Sequence, residues 1–424
     1  MTGLALGVDL GTSGVRSAVL DDAGDLVSSA RSSYGPRADD YRDPERWWSA
    51  VSDCLLRQCA ALKAAGRSMD EVSRIAVDGT SGSLVLTNSA LAPVTRALMY
   101  NDTGFEAEAG QIAQHAPDPH IARGSGSALA RALHLAAKDT DNRARHLLHQ
   151  ADFVAARLIG RGGFSDVNNA LKTGGDPATC SWPDWMDGLL PPSLLPALLL
   201  PGAAIAEVSA EVAAQFGLSP RAAVHAGTTD SIAAFLAAAQ PQPGAAVTSL
   251  GTTLAIKLYS DVRIDAPEVG LYAHRIGEGW LVGGASNTGG GVLKSFFSGD
   301  DLAALSQQID PDQPSELDYY PLPRPGERFP INDPTLLPRL DPRPADPVEF
   351  LHGLLEGMAR IERLSYETLQ KQGGPYPEQV ITAGGGAQNA AWRQIRARVL
   401  GVPVLTVATT EASIGTAKLA QSGA

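Results

Sequence analysis

Residues Leu4–Leu20, LALGVDLGTSGVRSAVL, constrain this chain more than any other stretch. An apolar strand ends in the acid Asp9 and turns through Gly11-Thr12-Ser13-Gly14. It returns at once as a second strand, because Val15–Leu20 alternates and is rich in β-formers. A dinucleotide fingerprint or a Walker A loop must open into a helix with its own glycine spacing, and neither spacing occurs here. Two readings remain: an ordinary hairpin ending in an acid, or a tight loop whose amides and hydroxyls cradle an anion with a carboxylate at its mouth. Ala245–Leu258, AAVTSLGTTLAIKL, repeats the device, with Leu250-Gly251-Thr252-Thr253 standing where Leu10-Gly11-Thr12-Ser13 stands in the first copy. Two copies about 240 residues apart suggest duplicated domains facing one polyanion, which favours the anion-binding reading.

A chain of 424 residues is too long for one ordinary core and suggests two domains. Its net charge of −12 argues against nucleic acid or an anionic membrane as the main partner, so an anionic ligand must be met by local donors. Cys54, Cys59 and Cys180 show no metal-ligand spacing and are expected to be buried small hydrophobes in a reducing compartment. No signal-type segment is read at the N-terminus, and prolines 191, 192 and 196 break the apolar run Leu189–Leu200. These features lead to the expectation of a soluble cytoplasmic protein.

Further along, Leu26–Ser33 extends the opening hairpin to three meandering strands, and Asp43-Pro44 caps a helix carrying Trp47, Val51, Leu55 and Leu62. Val72–Val77 reads as a buried strand delivering Asp78-Gly79-Thr80-Ser81-Gly82 at its carboxyl end, where ligands collect in α/β sheets. Asn168 and Asn169, in Ser165–Asn169, either read the hydroxyls of a polyol or help cap the next turn. Pro183–Pro201 reads as a proline-rich connection. Val224–Ala226 is expected to feed a glycine turn, Gly227-Thr228-Thr229-Asp230, that places Asp230 at a helix N-terminus as an ionised base or a simple cap. Gly384-Gly385-Gly386 follows the strand Gln379–Ala383 and is expected to admit a flat ligand close to the backbone; Trp392 then either borders that ligand or packs in the core.

Together these parts fit phosphoryl transfer, in which positioning dominates. The two Gly-Thr loops supply donors for phosphates, Gly384–Gly386 a surface for a nucleoside, Asp230 an acceptor for a hydroxyl proton, and Asp9 a hard oxygen ligand for Mg²⁺.

The ordered segments GVDLGTSGVRSAVLD, AVDGTSG, MYNDTG, SDVNNALKTGGDP, AGTTDSIAAF, TSLGTTLAI, GERFPINDP, ITAGGGAQNAAW and EASIGTAKLA resemble the FGGY carbohydrate kinases over essentially the whole chain. The resemblance implies an α/β protein of two ribonuclease-H-like domains, the actin/Hsp70/sugar-kinase fold, with an interdomain cleft. It divides the chain into an N-terminal domain, 1–223, for sugar and the first phosphate loop, and a C-terminal domain, 224–424, for the base, second loop and adenosine. It implies ATP and Mg²⁺ as cofactors and a small sugar as partner, in a monomer or homodimer. Carried over by position, Asp9 is the metal-associated acid, Asp230 the base, and Gly11, Thr12, Ser13, Gly251 and Thr252 the phosphate loops. Gly384, Gly385 and Asn389 are the adenosine site, and Ser13, Ser81, Asn101 and Asp102 join Asp9 and Asp230 around the sugar. The chain is shorter than most members, and Gly104 stands where many carry an arginine. SDVNNALK is similar to the short D-ribulose kinases of plants and cyanobacteria, so D-ribulose is the expected substrate. D-xylulose is the alternative, and a weakly catalytic ATP-binding sugar sensor is a third reading.

Overall fold

The computed structural model describes residues 3–35, 40–407 and 409–423. The chain forms two compact units. The first comprises Met1–Ala237, His274–Gly277 and Glu411–Ala424, and the second Ala238–Ala273 and Glu278–Thr410.

The first unit begins with β1 (Leu4–Leu10), β2 (Gly14–Leu20), β3 (Leu26–Ser33), α1 (Pro44–Ala64), β4 (Val72–Gly79) and β5 (Leu84–Thr87). It continues with α2 (Glu106–Ala113), α3 (Ala128–Lys138), β6 (His146–His149), α4 (Gln150–Ile159), β7 (Phe164–Asp166) and α5 (Val167–Ala170). Then come β8 (Ala197–Leu199), β9 (Ala204–Glu207), α6 (Ala210–Phe216), β10 (Ala223–Thr229) and α7 (Asp230–Ala238). Its main sheet has the order β3-β2-β1-β4-β10-β9. The first three strands form an antiparallel meander, and β1, β4 and β10 run parallel.

The residue pattern of β1 dictates its two sides. Period-two alternation sends Leu4, Leu6, Val8 and Leu10 into the main core with Trp47 and Val51 of α1 and Phe153 of α4. Small residues occupy the other side: Ala5 clusters with Ala76 of β4 and with Ala420. As the sequence indicates, Asp43 caps α1 and Pro44 opens it. Trp47 meets Phe153 edge-to-face at 5.9 Å, so it is a core residue.

The second unit contains β11 (Ala245–Leu250), β12 (Leu254–Ser260), β14 (Gly279–Ser286), α8 (Gly290–Lys294), α9 (Gly299–Ser306), α10 (Pro347–Lys371), β15 (Gln379–Ala383), α11 (Ala390–Leu400) and β16 (Val404–Thr406). A further strand, β13 (Tyr272–Ile276), precedes β14, and the final helix α12 (Ala412–Ser422) belongs to the first unit. The strand order β14-β12-β11-β15-β16 repeats the β3-β2-β1-β4-β10 arrangement, antiparallel meander followed by parallel strands. The repeat legible in the two Gly-Thr hairpins is therefore a repeat of whole sheets.

Several local expectations change. Pro183–Pro201 is more than a connection, because β8 pairs in parallel with β7. Gly227, Thr228 and Thr229 lie inside β10 rather than in a turn; a Cβ on Gly227 would meet the Val77 carbonyl oxygen at 1.7 Å, so the glycine serves close strand approach. β10 pairs with β4, so Asp230, which follows it, lies in the first compact unit. Of the cysteines, Cys54 is buried as expected, but Cys59 is exposed. Among the described residues, no helix is long and apolar enough to cross a membrane.

Candidate active site

The three parallel strands of the first unit end in acids. Asp9 on β1 is in register with Asp78 on β4, and Asp78 with Thr228 on β10, two residues before Asp230. Burial pushes the Asp9 carboxyl above its usual range, against the neighbouring Asp78 and Arg16, which favour its charge. Asp78 is pushed well up, first by burial and then by the negative charges of Asp9 and Asp230. Arg16 lies across the hairpin with Nη1 3.3 Å from Asp9 Oδ2. Asp230 opens α7, and its Oδ1 accepts from the Ser231 amide at 2.6 Å. A carboxylate there lies at the positive end of the helix dipole.

The first loop is built to hold its shape. The Gly11 amide donates to Gly14 O at 3.0 Å, leaving Thr12 and Ser13 exposed at the tip. Tyr34 Oη donates to Gly11 O at 2.7 Å, and the Gln150 amide links that hydroxyl to Thr80, which donates to Gln150 Oε1 from both its amide and its hydroxyl. One buried chain of hydrogen bonds therefore joins the loop after β1 to the loop after β4. The second unit repeats the closure: the Gly251 amide donates to Thr253 O at 3.1 Å, and Thr252 is exposed. Here the support comes from Gly290 and Gly291, whose amides donate to Gly251 O and Thr252 O, both at 2.9 Å. A Cβ on Gly289 would meet Thr253 C at 2.7 Å, so this glycine run exists to let the loop lie on α8.

A cavity of about 550 Å³ in the second unit lies between α9 and the start of α11, lined by Ser306, Gly385, Gln388 and Asn389 among others. The three glycines have separate roles. A Cβ on Gly384 would meet Leu250 O at 2.7 Å and one on Gly386 the Leu250 side chain at 2.6 Å, so both serve packing against β11. Gly385 alone has open space before it. Asn389 caps α11 by accepting from the Trp392 amide, and its Nδ2 donates to Ser306 Oγ at 2.8 Å. Trp392 is 2% exposed and part of the core.

The remaining sequence candidates divide. Ser81 Oγ is buried and receives no partner among the described residues, whereas Asn101 is exposed. Asp102 is engaged by a bidentate pair with Arg42, at 2.5 and 2.6 Å, and accepts the Met99 amide. Asp166 caps the amides of Asn168 and Asn169. Asn168 Nδ2 donates to Thr228 Oγ1 and Asn169 Nδ2 to Thr228 O, so the capping reading holds and both amides support β10. Sequence reasoning placed Asp78 at a ligand-collecting strand end but gave it no role, although Val77-Asp78-Gly79-Thr80 echoes Val8-Asp9 and Gly11-Thr12 at the end of β1. Tyr34 and Gln150 carry no comparable local signal.

Models of the FGGY family of carbohydrate kinases match both parts of the chain, the N-terminal domain over residues 4–237 and the C-terminal domain over residues 224–424. The chain belongs to the FGGY family of carbohydrate kinases. Among its relatives, the xylulose kinase of Escherichia coli strain K12 is 24% identical, over 99% of this chain and 90% of the relative. A crystal structure of a xyloylose kinase from Brucella ovis superposes with a TM-score of 0.86 at 23% identity, covering 99% of this chain and 91% of that one. The xylulose kinase structure from Rhodospirillum rubrum gives a TM-score of 0.84 at 21% identity, covering 98% and 89%. At such identities the structural likeness establishes the mixed α/β, two-domain sugar-kinase fold. For an FGGY kinase, the doubled sheets and doubled Gly-Thr loops are thus the scaffold of a sugar phosphotransferase.

Proposed function

We propose that this carbohydrate kinase transfers the γ-phosphoryl group of ATP to the terminal hydroxyl of a ketopentose, most favourably D-ribulose. The observation that carries the reading is the convergence of Asp9, Asp78 and Asp230 on the carboxyl ends of three adjacent parallel strands, beside an exposed Gly-Thr loop. In this reading Asp230 accepts the proton of the attacking hydroxyl. On the turn that the Gly11 amide closes, the exposed Thr12 and Ser13 offer amides and hydroxyls to phosphate oxygens as charge develops on them, and Thr252 offers the same groups on the turn closed by Gly251. Ser81, Asn101 and Asp102 orient the sugar, with Asp102 itself held by Arg42.

Among the described residues no group of three or more His, Cys, Asp or Glu side chains forms a metal cage. That suits Mg²⁺, which keeps several waters and binds through one or two carboxylates together with substrate phosphates. Asp9 is the residue to hold it, with Asp78 beside it. When bound, Mg²⁺ supplies charge neutralisation to the phosphates.

The open space before Gly385 gives a test of the nucleotide site. Gly385→Val is expected to raise KM for ATP about tenfold, a loss of roughly 1.4 kcal/mol, with thermal stability retained. Steady-state kinetics over ATP concentration, with a melting curve alongside, checks it; an unchanged KM would remove adenosine from this cavity.

D-ribulose is supported by the likeness of SDVNNALK to the short D-ribulose kinases, and D-xylulose by the activity named for the Escherichia coli relative. A panel of ketoses and polyols in an ADP-release assay separates them. The expected result is a kcat/KM for D-ribulose at least about tenfold above that for D-xylulose, or roughly 1.4 kcal/mol of discrimination. The reverse ranking assigns D-xylulose, and ADP release indifferent to every sugar favours a nucleotide-driven sensor.

A further inference from the structure

We propose that Thr416, on the last helix of the chain, is a positioning residue for phosphoryl transfer, holding Asp78 and through it Asp9. The inference rests on the assignment of Asp9 and Asp230 to the reacting site.

The side of the sheet on which these acids lie is fixed by alternation. On β1, Asp9 follows Ala5 and Gly7 on the small-residue side, and on β4 Asp78 shares that side with Ala76. Helix α12 closes over this side at short range. A Cβ on Gly7 would meet Ser413 O at 2.1 Å and Ala417 N at 2.3 Å, while Ala5, Ala76 and Ala420 form one buried cluster. Packing this tight leaves a polar group on the sheet dependent on what the helix offers it.

Asp78 is fully buried, and what α12 offers is the Thr416 hydroxyl, which donates to Asp78 Oδ2. Thr416 is itself fully buried. No N–H or hydroxyl among the described residues reaches Asp78 Oδ1, and Asp78 is the register partner of Asp9 on the neighbouring parallel strand. Thr416 is thus the side chain that fixes the rotation of a carboxyl set beside Asp9. The same helix reaches the other two parts of the site. Glu411, its N-cap, pairs at 3.4 Å with Arg16, which in turn pairs with Asp9. Gly415 lies against Ala233 O of α7, where a Cβ would stand 1.8 Å away. Lys418 Nζ donates to Leu236 O and Ala237 O at the far end of that helix, whose first residue is Asp230. One helix therefore braces all three acids, and at Thr416 it does so through a single hydroxyl.

Thr416→Val keeps the shape and removes the hydroxyl; Thr416→Ser keeps the hydroxyl. On the full chain, assayed with the sugar that the unmodified enzyme phosphorylates fastest, Thr416→Val is expected to lower kcat by about 10- to 100-fold, the range of a small misplacement of reacting groups. KM for sugar and for ATP should stay within about twofold, because no substrate contact is lost. Thr416→Ser should recover kcat to within about threefold of the unmodified enzyme. A Thr416→Val enzyme with undiminished kcat, a loss that Thr416→Ser fails to restore, or a change confined to KM would each overturn the proposal. Should the valine variant not fold, Thr416→Ala carries the same expectation and the same refutation. Failure of the underlying assignment reads out separately, as an Asp230→Asn enzyme that retains full kcat.

Discussion

Replacing Asp230 with asparagine is expected to reduce sugar phosphorylation by about 10²–10⁴-fold, the range that a positioned general base contributes. Asparagine keeps the size of the side chain and an oxygen for the Ser231 amide, so the start of α7 should survive the change. It cannot take a proton from a hydroxyl, and that is the step assigned to this residue. The cavity proposed for adenosine is lined wholly from the second unit, whereas Asp230 belongs to the first, so ATP affinity should change by less than about threefold. Coupled ADP release measures the first quantity, and calorimetric titration with a non-hydrolysable ATP analogue the second. Full activity in the variant would remove Asp230 as the base. Loss of both activity and nucleotide binding would indicate a folding defect instead.

Arg396→Met should be the most destabilising of these substitutions, because it strands a buried carboxylate in the second unit. Arg396 Nε and Nη2 donate to Glu362 Oε2 and Oε1 at 2.6 and 2.7 Å, and Nη1 donates to Thr382 Oγ1 at 2.6 Å. Thr248 on β11 donates to the same Glu362 Oε1 at 2.5 Å and meets Tyr366 Oη at 2.9 Å. The network thereby stitches α10 and α11 to two strands of the sheet. Glu362 is fully buried and Arg396 is 1% exposed, so water cannot replace the missing partner. Breaking one side of such a pair costs about 3–5 kcal/mol. The double change Arg396→Met with Glu362→Leu should recover much of that, since replacing a buried pair by apolar residues is often close to neutral. Urea unfolding followed by tryptophan fluorescence tests both, with Trp280 and Trp392 reporting on the second unit. A single variant as stable as the parent would mean that the pair contributes nothing net.

Much of this architecture is legible in the sequence because it is written in local patterns. The alternation Leu-Ala-Leu-Gly-Val-Asp-Leu announces a strand with one bulky and one small side, and Asp43-Pro44 and Asp346-Pro347 announce helices that the structure contains. The doubled Leu-Gly-Thr hairpin announces the doubled sheet. What escapes sequence reasoning depends on residues far apart in the chain. Nothing near Gly11 points to Tyr34 and Gln150, and nothing near Asp78 points to Thr416. The Gly384–Gly386 run was legible as a close approach, yet two of its glycines approach Leu250 rather than a ligand, a distinction that only packing reveals. Asn168 and Asn169 illustrate the same limit: their amides suit a polyol, and their partners are backbone and side-chain groups of the same unit.

The placement of α12 has a consequence for how the first unit folds. The contact between Asp78 and Thr416 spans 338 residues, and between them lies the whole of the second unit. The small-residue side of β1, where Gly7 meets α12, is therefore completed by a pairing that closes a loop holding another compact unit. Such a non-local contact costs loop-closure entropy before it gains any packing, so the acid-bearing sheet is expected to be among the slower parts of the first unit to reach its final form.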